Sequence, residues 1–316
     1  MIKGVRLNKT ALLLTVLILL LSGIATADMT RDSVQHYLRQ GGLAFTQNDY
    51  GKAILNFKEA LKFDSTNLDA LKTLGVIYAE MGRTGPAMEY LGQALQRDST
   101  DASIYNSLAV TYLARRDTLQ AIQYYNKAIA LDSTKGSFAA NLALLYFSRE
   151  DYDRTINILQ PILPHDTANK RVHYLLGRSY LGLKRFVDSE PYLQKAADLD
   201  DKNAEYVFYL GVVKDFLGKS IAAESSFKQA LFLNKDYFDA WQRLGVLYIK
   251  TDRPADAMTA FERAVALRPD DINAHVALGA AYLLNDMPDK ADEILAWLKK
   301  RDPEAAEKMI RLGQKK

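Results

Sequence analysis

Apolar and small residues return at fixed intervals along this chain, separated by polar and turn-forming residues. Counted from Val34, the pattern comes back in register every 34 residues, at Leu68, Ala102, Gly136, Lys170, Ala204, Phe238 and Ile272, and eight copies fill residues 34–305 without insertion or deletion. The eighth position is small in every copy (Gly41, Gly75, Ala109, Ala143, Gly177, Gly211, Gly245, Gly279), and so is the twentieth (Ala53, Ala87, Ala121, Thr155, Ser189, Ala223, Ala257, Ala291). Leucine dominates the seventh position and tyrosine the eleventh, while the twenty-fourth is always large and apolar, from Phe57 to Leu295. Spacings of three, four and seven are helical, and two helices approach closely only where side chains are short. Turn residues such as Asn48-Asp49, Gly82-Arg83, Gly218-Lys219 and Asp252-Arg253-Pro254 divide the copies. Polar runs such as Asp64-Ser65-Thr66-Asn67 close them and can cap the next helix. Each copy is predicted to be helix, turn, helix, turn.

One copy carries a family resemblance. Ala240-Trp241-Gln242-Arg243-Leu244-Gly245-Val246-Leu247-Tyr248, followed by Ala257, Phe261, Ala264 and Pro269, resembles the tetratricopeptide repeat, W-x2-L-G-x2-Y…A-x3-F…P. The resemblance implies an all-α fold: an α-solenoid, wound as a right-handed superhelix, of eight tandem helix-turn-helix repeats at 34–67, 68–101, 102–135, 136–169, 170–203, 204–237, 238–271 and 272–305. A capping helix over Glu304–Gln314, whose C-terminal part lies in 306–316, is expected to cover the apolar end of the stack. Three departures stand out. Pro161 and Pro164 fall inside the second helix of the fourth repeat and should end it near Gln160. Lys214 replaces the usual tyrosine in the sixth, and Gln40 and Ala44 replace leucine and tyrosine in the first.

Charge adds an address. Of 41 basic residues, Lys3, Arg6 and Lys9 lie in the first 27, where no acid occurs; the remaining 38 balance the 38 acids. A neutral mature chain lacks the basic footprint of a nucleic-acid binder. The basic start, the apolar run Ala11–Leu21 and the Ala25-Thr26-Ala27 sequence have the form of a signal peptide over 1–27, with cleavage expected after Ala27 and a short leader at 28–33. Periplasmic or secreted location is expected, with an inner-membrane anchor as the alternative if the segment is kept. The apolar run is shorter than the roughly 20 residues that span hydrocarbon. With no cysteine in the chain, neither disulfides nor lipoprotein attachment is expected.

Nothing points to catalysis. His173 and His275 share a packing position, His36 and His165 stand apart, no Gly-rich phosphate loop is present, and outside the array and signal little chain remains. No enzyme activity, cofactor or metal is expected. In the resembling family the first helix of each pair lines a concave groove that holds a peptide or partner segment. Positions two, five, nine and twelve should then face the partner, and Asn141, Phe147, Arg171, Tyr174, Arg178, Phe208 and Asp215 should converge in the fourth to sixth repeats. Aromatic and arginine side chains are enriched in binding hot spots. The two-carboxylate clamp and the asparagine ladder of some members are not matched: Lys72 is followed by Val76, and Asn141 is the only asparagine at the sixth position. The expected function is a non-enzymatic scaffold or adaptor for a protein or peptide in the periplasm or cell envelope, or alternatively an assembly factor or chaperone for outer-membrane, pilus or cytochrome machinery, with the binding arm of an enzyme as the third alternative.

Overall fold

The turn residue of every repeat decides how its two helices meet. In the computed structural model, which describes residues 30–314, the fifteenth residue of each repeat has positive φ: Asn48, Gly82, Arg116, Glu150, Lys184, Gly218, Asp252 and Asp286. The next residue donates its backbone N–H to the carbonyl five residues back, as in Arg83 N to Tyr78 O at 2.8 Å and Arg185 N to Tyr180 O at 2.8 Å. This is a Schellman closure, which satisfies the last carbonyls of the first helix while reversing the chain.

The described residues are helical with short connections and contain no strand. The order is α1 (30–46), α2 (Tyr50–Phe63), α3 (Leu68–Glu80), α4 (Thr84–Arg97), α5 (Ala102–Ala114), α6 (Thr118–Leu131), α7 (Gly136–Phe147), α8 (Tyr152–Leu159), α9 (Lys170–Gly182), α10 (Phe186–Leu199), α11 (Ala204–Phe216), α12 (Ser220–Leu233), α13 (Phe238–Lys250), α14 (Pro254–Leu267), α15 (Ile272–Leu284), α16 (Pro288–Arg301) and α17 (Pro303–Gly313). The chain is thus all-α, as expected. The signal segment and its cleavage point lie outside the described residues. Two compact bodies form, one up to Ser133 and one from Thr134 onward.

Within a repeat, the small eighth and twentieth positions sit at the helix crossing. A methyl group on Gly177 would lie 2.5 Å from Leu193 Cγ, and one on Gly245 2.5 Å from a Phe261 ring carbon. In two repeats the twentieth residue also bonds across the crossing: the buried Ser189 hydroxyl donates to Gly177 O at 2.6 Å and Thr155 to Ala143 O at 3.4 Å. Tyrosines of the eleventh and twenty-third positions stack in three repeats, Tyr78 on Tyr90, Tyr112 on Tyr124 and Tyr180 on Tyr192, with centroids 5.1–5.7 Å apart. Such pairs contribute about 0.5–1.5 kcal/mol beyond area burial. The sixth repeat lacks both rings, having Lys214 and Ser226 instead.

The prolines act locally. α8 stops at Leu159 and passes into a 3-10 turn, Gln160–Ile162, whereas α10 and α12 run 14 residues. At the far end α17 lays Met309 (1% exposed) against Gly279 and brings Gly313 to Leu283, covering the last helix pair.

Candidate functional site

Three first helices of the second body, α7, α9 and α11, carry the residues singled out from the sequence. The centre is Arg178 on α9. Its guanidinium lies 3.5 Å from the Tyr209 ring centroid, 5.3 Å from that of Phe147 and 5.5 Å from that of Tyr174. Its Nη1 donates to the Tyr174 hydroxyl, which donates to Glu205 Oε1, and Glu205 is 3.8 Å from Nη1. Burial pushes the Tyr174 hydroxyl well above the usual tyrosine range, against the opposing pull of Arg178, so it remains a proton donor throughout the physiological range. Arg178 is held by three aromatic faces and one carboxylate, with 21% of its side chain still exposed.

Two turns earlier on α9, Arg171 Nη1 donates to Asn141 Oδ1 on α7 at 3.0 Å. Asn141, Phe147, Arg171, Tyr174 and Arg178 are therefore brought together on neighbouring first helices. Asp215 requires correction as a partner-facing residue, and Phe208 is open only toward a neighbouring cavity. Phe208 is 4% exposed because it turns toward α12, with Phe227 and Tyr237 rings 5.8 and 4.8 Å away. Asp215 is buried and committed to Lys250 on α13, whose Nζ meets both carboxylate oxygens at 2.9 Å. The apolar ninth position is also uneven: Leu144 and Val246 are exposed, whereas Val212 is 4% exposed.

Beside the cluster lies a cavity of about 700 Å³. Its apolar walls are Leu181, Phe186, Phe208, Tyr209, Val212 and Phe216, and its charged rim is Lys184, Asp239 and Arg243. Phe186 and Phe216 stack with centroids 4.6 Å apart and planes 4° from parallel. Sequence reasoning missed Glu205, Tyr209 and Arg243, which stand at the second and sixth positions; the acids Asp69, Glu205 and Asp239 at the second position were the available signal for Glu205, whereas Tyr209 is the single aromatic at the sixth. Phe186 and Phe216 were invisible to a reading confined to four positions of the first helix.

Among the described residues no group of His, Asp and Glu has metal-binding geometry, and no helix is long and apolar enough to cross a membrane. His275 stacks on Trp297 at 3.7 Å and meets Asp271 O through Nδ1, while His173 meets Thr167 O through Nε2, so both are packing residues.

Residues 44–111 and 238–281 match family models described as tetratricopeptide repeat, and residues 114–196 match one described as anaphase-promoting complex, cyclosome, subunit 3. The chain is a tetratricopeptide-repeat protein. Solved structures share the fold of this tetratricopeptide-repeat protein. YrrB, titled a TPR protein with an unusual peptide-binding site, is 24% identical over 58% of this chain and 95% of its own, with a TM-score of 0.53. The C-terminal part of a TPR repeat-containing protein from Cytophaga hutchinsonii is 16% identical over 76% of this chain and 99% of its own, with a TM-score of 0.59. A tetratricopeptide repeat protein from Parabacteroides merdae is 16% identical over 78% and 98%, with a TM-score of 0.53. No curated protein matches. Tetratricopeptide repeats indicate a protein–protein interaction scaffold, and the fold is typically non-catalytic.

Proposed function

We propose that this tetratricopeptide-repeat protein is an exported, non-enzymatic adaptor that holds a peptide or a segment of a partner protein along the α7–α9–α11–α13 face, in the periplasm or cell envelope. The observation that carries the reading is the Arg178 cluster: an arginine pre-ordered by Tyr174, Tyr209 and Glu205, partly open to solvent, beside a cavity with aromatic walls. Pre-ordered aromatic and arginine side chains lose little freedom on binding, which is why such residues anchor interfaces. Export rests on the signal-like residues 1–27.

The test is affinity capture from the native cell envelope with the tagged full chain, followed by mass spectrometry. Tyr174→Ala with Arg178→Ala should abolish recovery of the partner while thermal unfolding shows the protein still folded; unchanged recovery sinks the reading. Cell fractionation and the intact mass of the mature chain test the location and cleavage after Ala27.

A further inference from the structure

Arg178 is already neutralised by Glu205, so it does not set the charge of what binds next to it. The cavity rim does. Lys184 is exposed in the α9–α10 turn, and Arg243 on α13 lies with its guanidinium 5.8 Å from the Phe216 ring. Among the described residues neither pairs with a carboxylate within the 4.0 Å limit of an ion pair. Asp239 is the single acid on the rim, so two unpaired cations face one unpaired carboxylate. Inside, four aromatic rings line the volume, and one of them, Phe216, is 47% exposed although it is large and apolar. An exposed aromatic wall gains by being covered, and unpaired cations at its edge gain by meeting an anion in the same event.

We propose that this cavity receives a bulky apolar side chain, aromatic or long aliphatic, from an internal acidic segment of the partner, whose flanking carboxylates pair with Lys184 and Arg243. The inference rests on the peptide-holding reading above and adds the chemistry of the peptide. Cavity size agrees with it. Pockets that enclose an organic group are about 300–1,000 Å³, and the space here is about 700 Å³. The ring stack of Phe186 and Phe216 supplies a flat wall, and Tyr209, whose ring is held by Arg178 lying over its face, supplies a second. A basic segment would leave Lys184 and Arg243 facing like charges, with Asp239 alone to offset them.

The experiment measures fluorescence anisotropy on the full chain with three short labelled peptides, each amidated at its C-terminus. The first has one phenylalanine flanked on both sides by two glutamates in a Gly/Ser background. The second replaces phenylalanine by alanine, and the third replaces the glutamates by lysine. The first should bind at least about tenfold more tightly than either control, a factor of about 1.4 kcal/mol. Phe216→Ala and Arg243→Glu should each weaken it by about tenfold or more, within the range of interface hot spots. Lys184→Asn removes a charge at a position of positive φ that asparagine tolerates, and should weaken it with no change in unfolding. Equal binding of the three peptides, tighter binding of the lysine peptide, or indifference to both charge variants overturns the inference. A displayed random-peptide library panned on the same protein separates the two claims. If the designed peptides fail but the library yields binders lost on Tyr174→Ala with Arg178→Ala, the acidic-aromatic assignment falls and the groove reading stands. If the library also yields nothing, both fall.

Discussion

Lys214 shows how one residue can interrupt a repeated core. In three sibling repeats its position holds a tyrosine stacked on a second tyrosine; here an amine reaches Ser226 Oγ at 3.5 Å beside a polar cavity of about 430 Å³. Burial lowers the Lys214 pKa below its ordinary 10.5, with Lys219 adding to the effect and Glu190 and Asp198 opposing it. The sign follows: the unfolded chain binds this proton more tightly than the folded one. The resulting penalty is fully present at neutral pH and disappears as pH rises from the folded value through 10.5. Lys214→Met should therefore stabilise the protein at pH 7, by about 0.5–2 kcal/mol as for other core-optimising changes, with only part from charge because the amine keeps contact with solvent. The gain should shrink above pH 10 in denaturant titrations; a gain independent of pH would show that packing alone is responsible.

The helical hairpin is the element, and its turn is under uneven strain. All eight repeats place the fifteenth residue at positive φ, between 53° and 74°, but only Gly82 and Gly218 are glycines. Glu150 at φ 58° carries a side chain where an L-residue meets its own carbonyl, a cost of roughly 1–2 kcal/mol that glycine avoids in exchange for more freedom in the unfolded state. Glu150→Gly should raise the unfolding free energy by up to about 1 kcal/mol, seen as a higher denaturant midpoint with unchanged slope. A lower midpoint would mean that the Glu150 side chain contributes more than its backbone costs. These turns also show where local sequence falls short. Asn48, Gly82, Gly218 and Asp252 announce a reversal by their type; Arg116, Glu150 and Lys184 do not, and are held there by the helices that they join.

At the scale of the molecule, a stack of repeats needs a covered end. α17 does this for the second body, burying Ala305, Ala306 and Met309 against the last helix pair. A chain ending at Asp302 should unfold at lower denaturant and bind more of an apolar-surface dye, and Met309→Ala in the full chain should cost about 2–5 kcal/mol. Dye binding and stability unchanged by the deletion would show that α17 is an appendage and not a cap.

Repeat length, helix pairing and the close crossings were legible in the sequence because each depends on residues near one another in the chain and was written eight times. The core of the candidate site was legible too, since Arg171, Tyr174 and Arg178 share one face of α9. The rest depended on which neighbour each side chain meets. Phe208 turned inward because Phe227 and Tyr237 were there to receive it, and Asp215 was taken by Lys250, 35 residues away. Phe186, Phe216 and Arg243 came together from three helices to form one cavity. Helical periodicity says which face of a helix a residue is on; only the packed structure says what stands opposite, because burial and ion pairing are settled by atoms from distant parts of the chain.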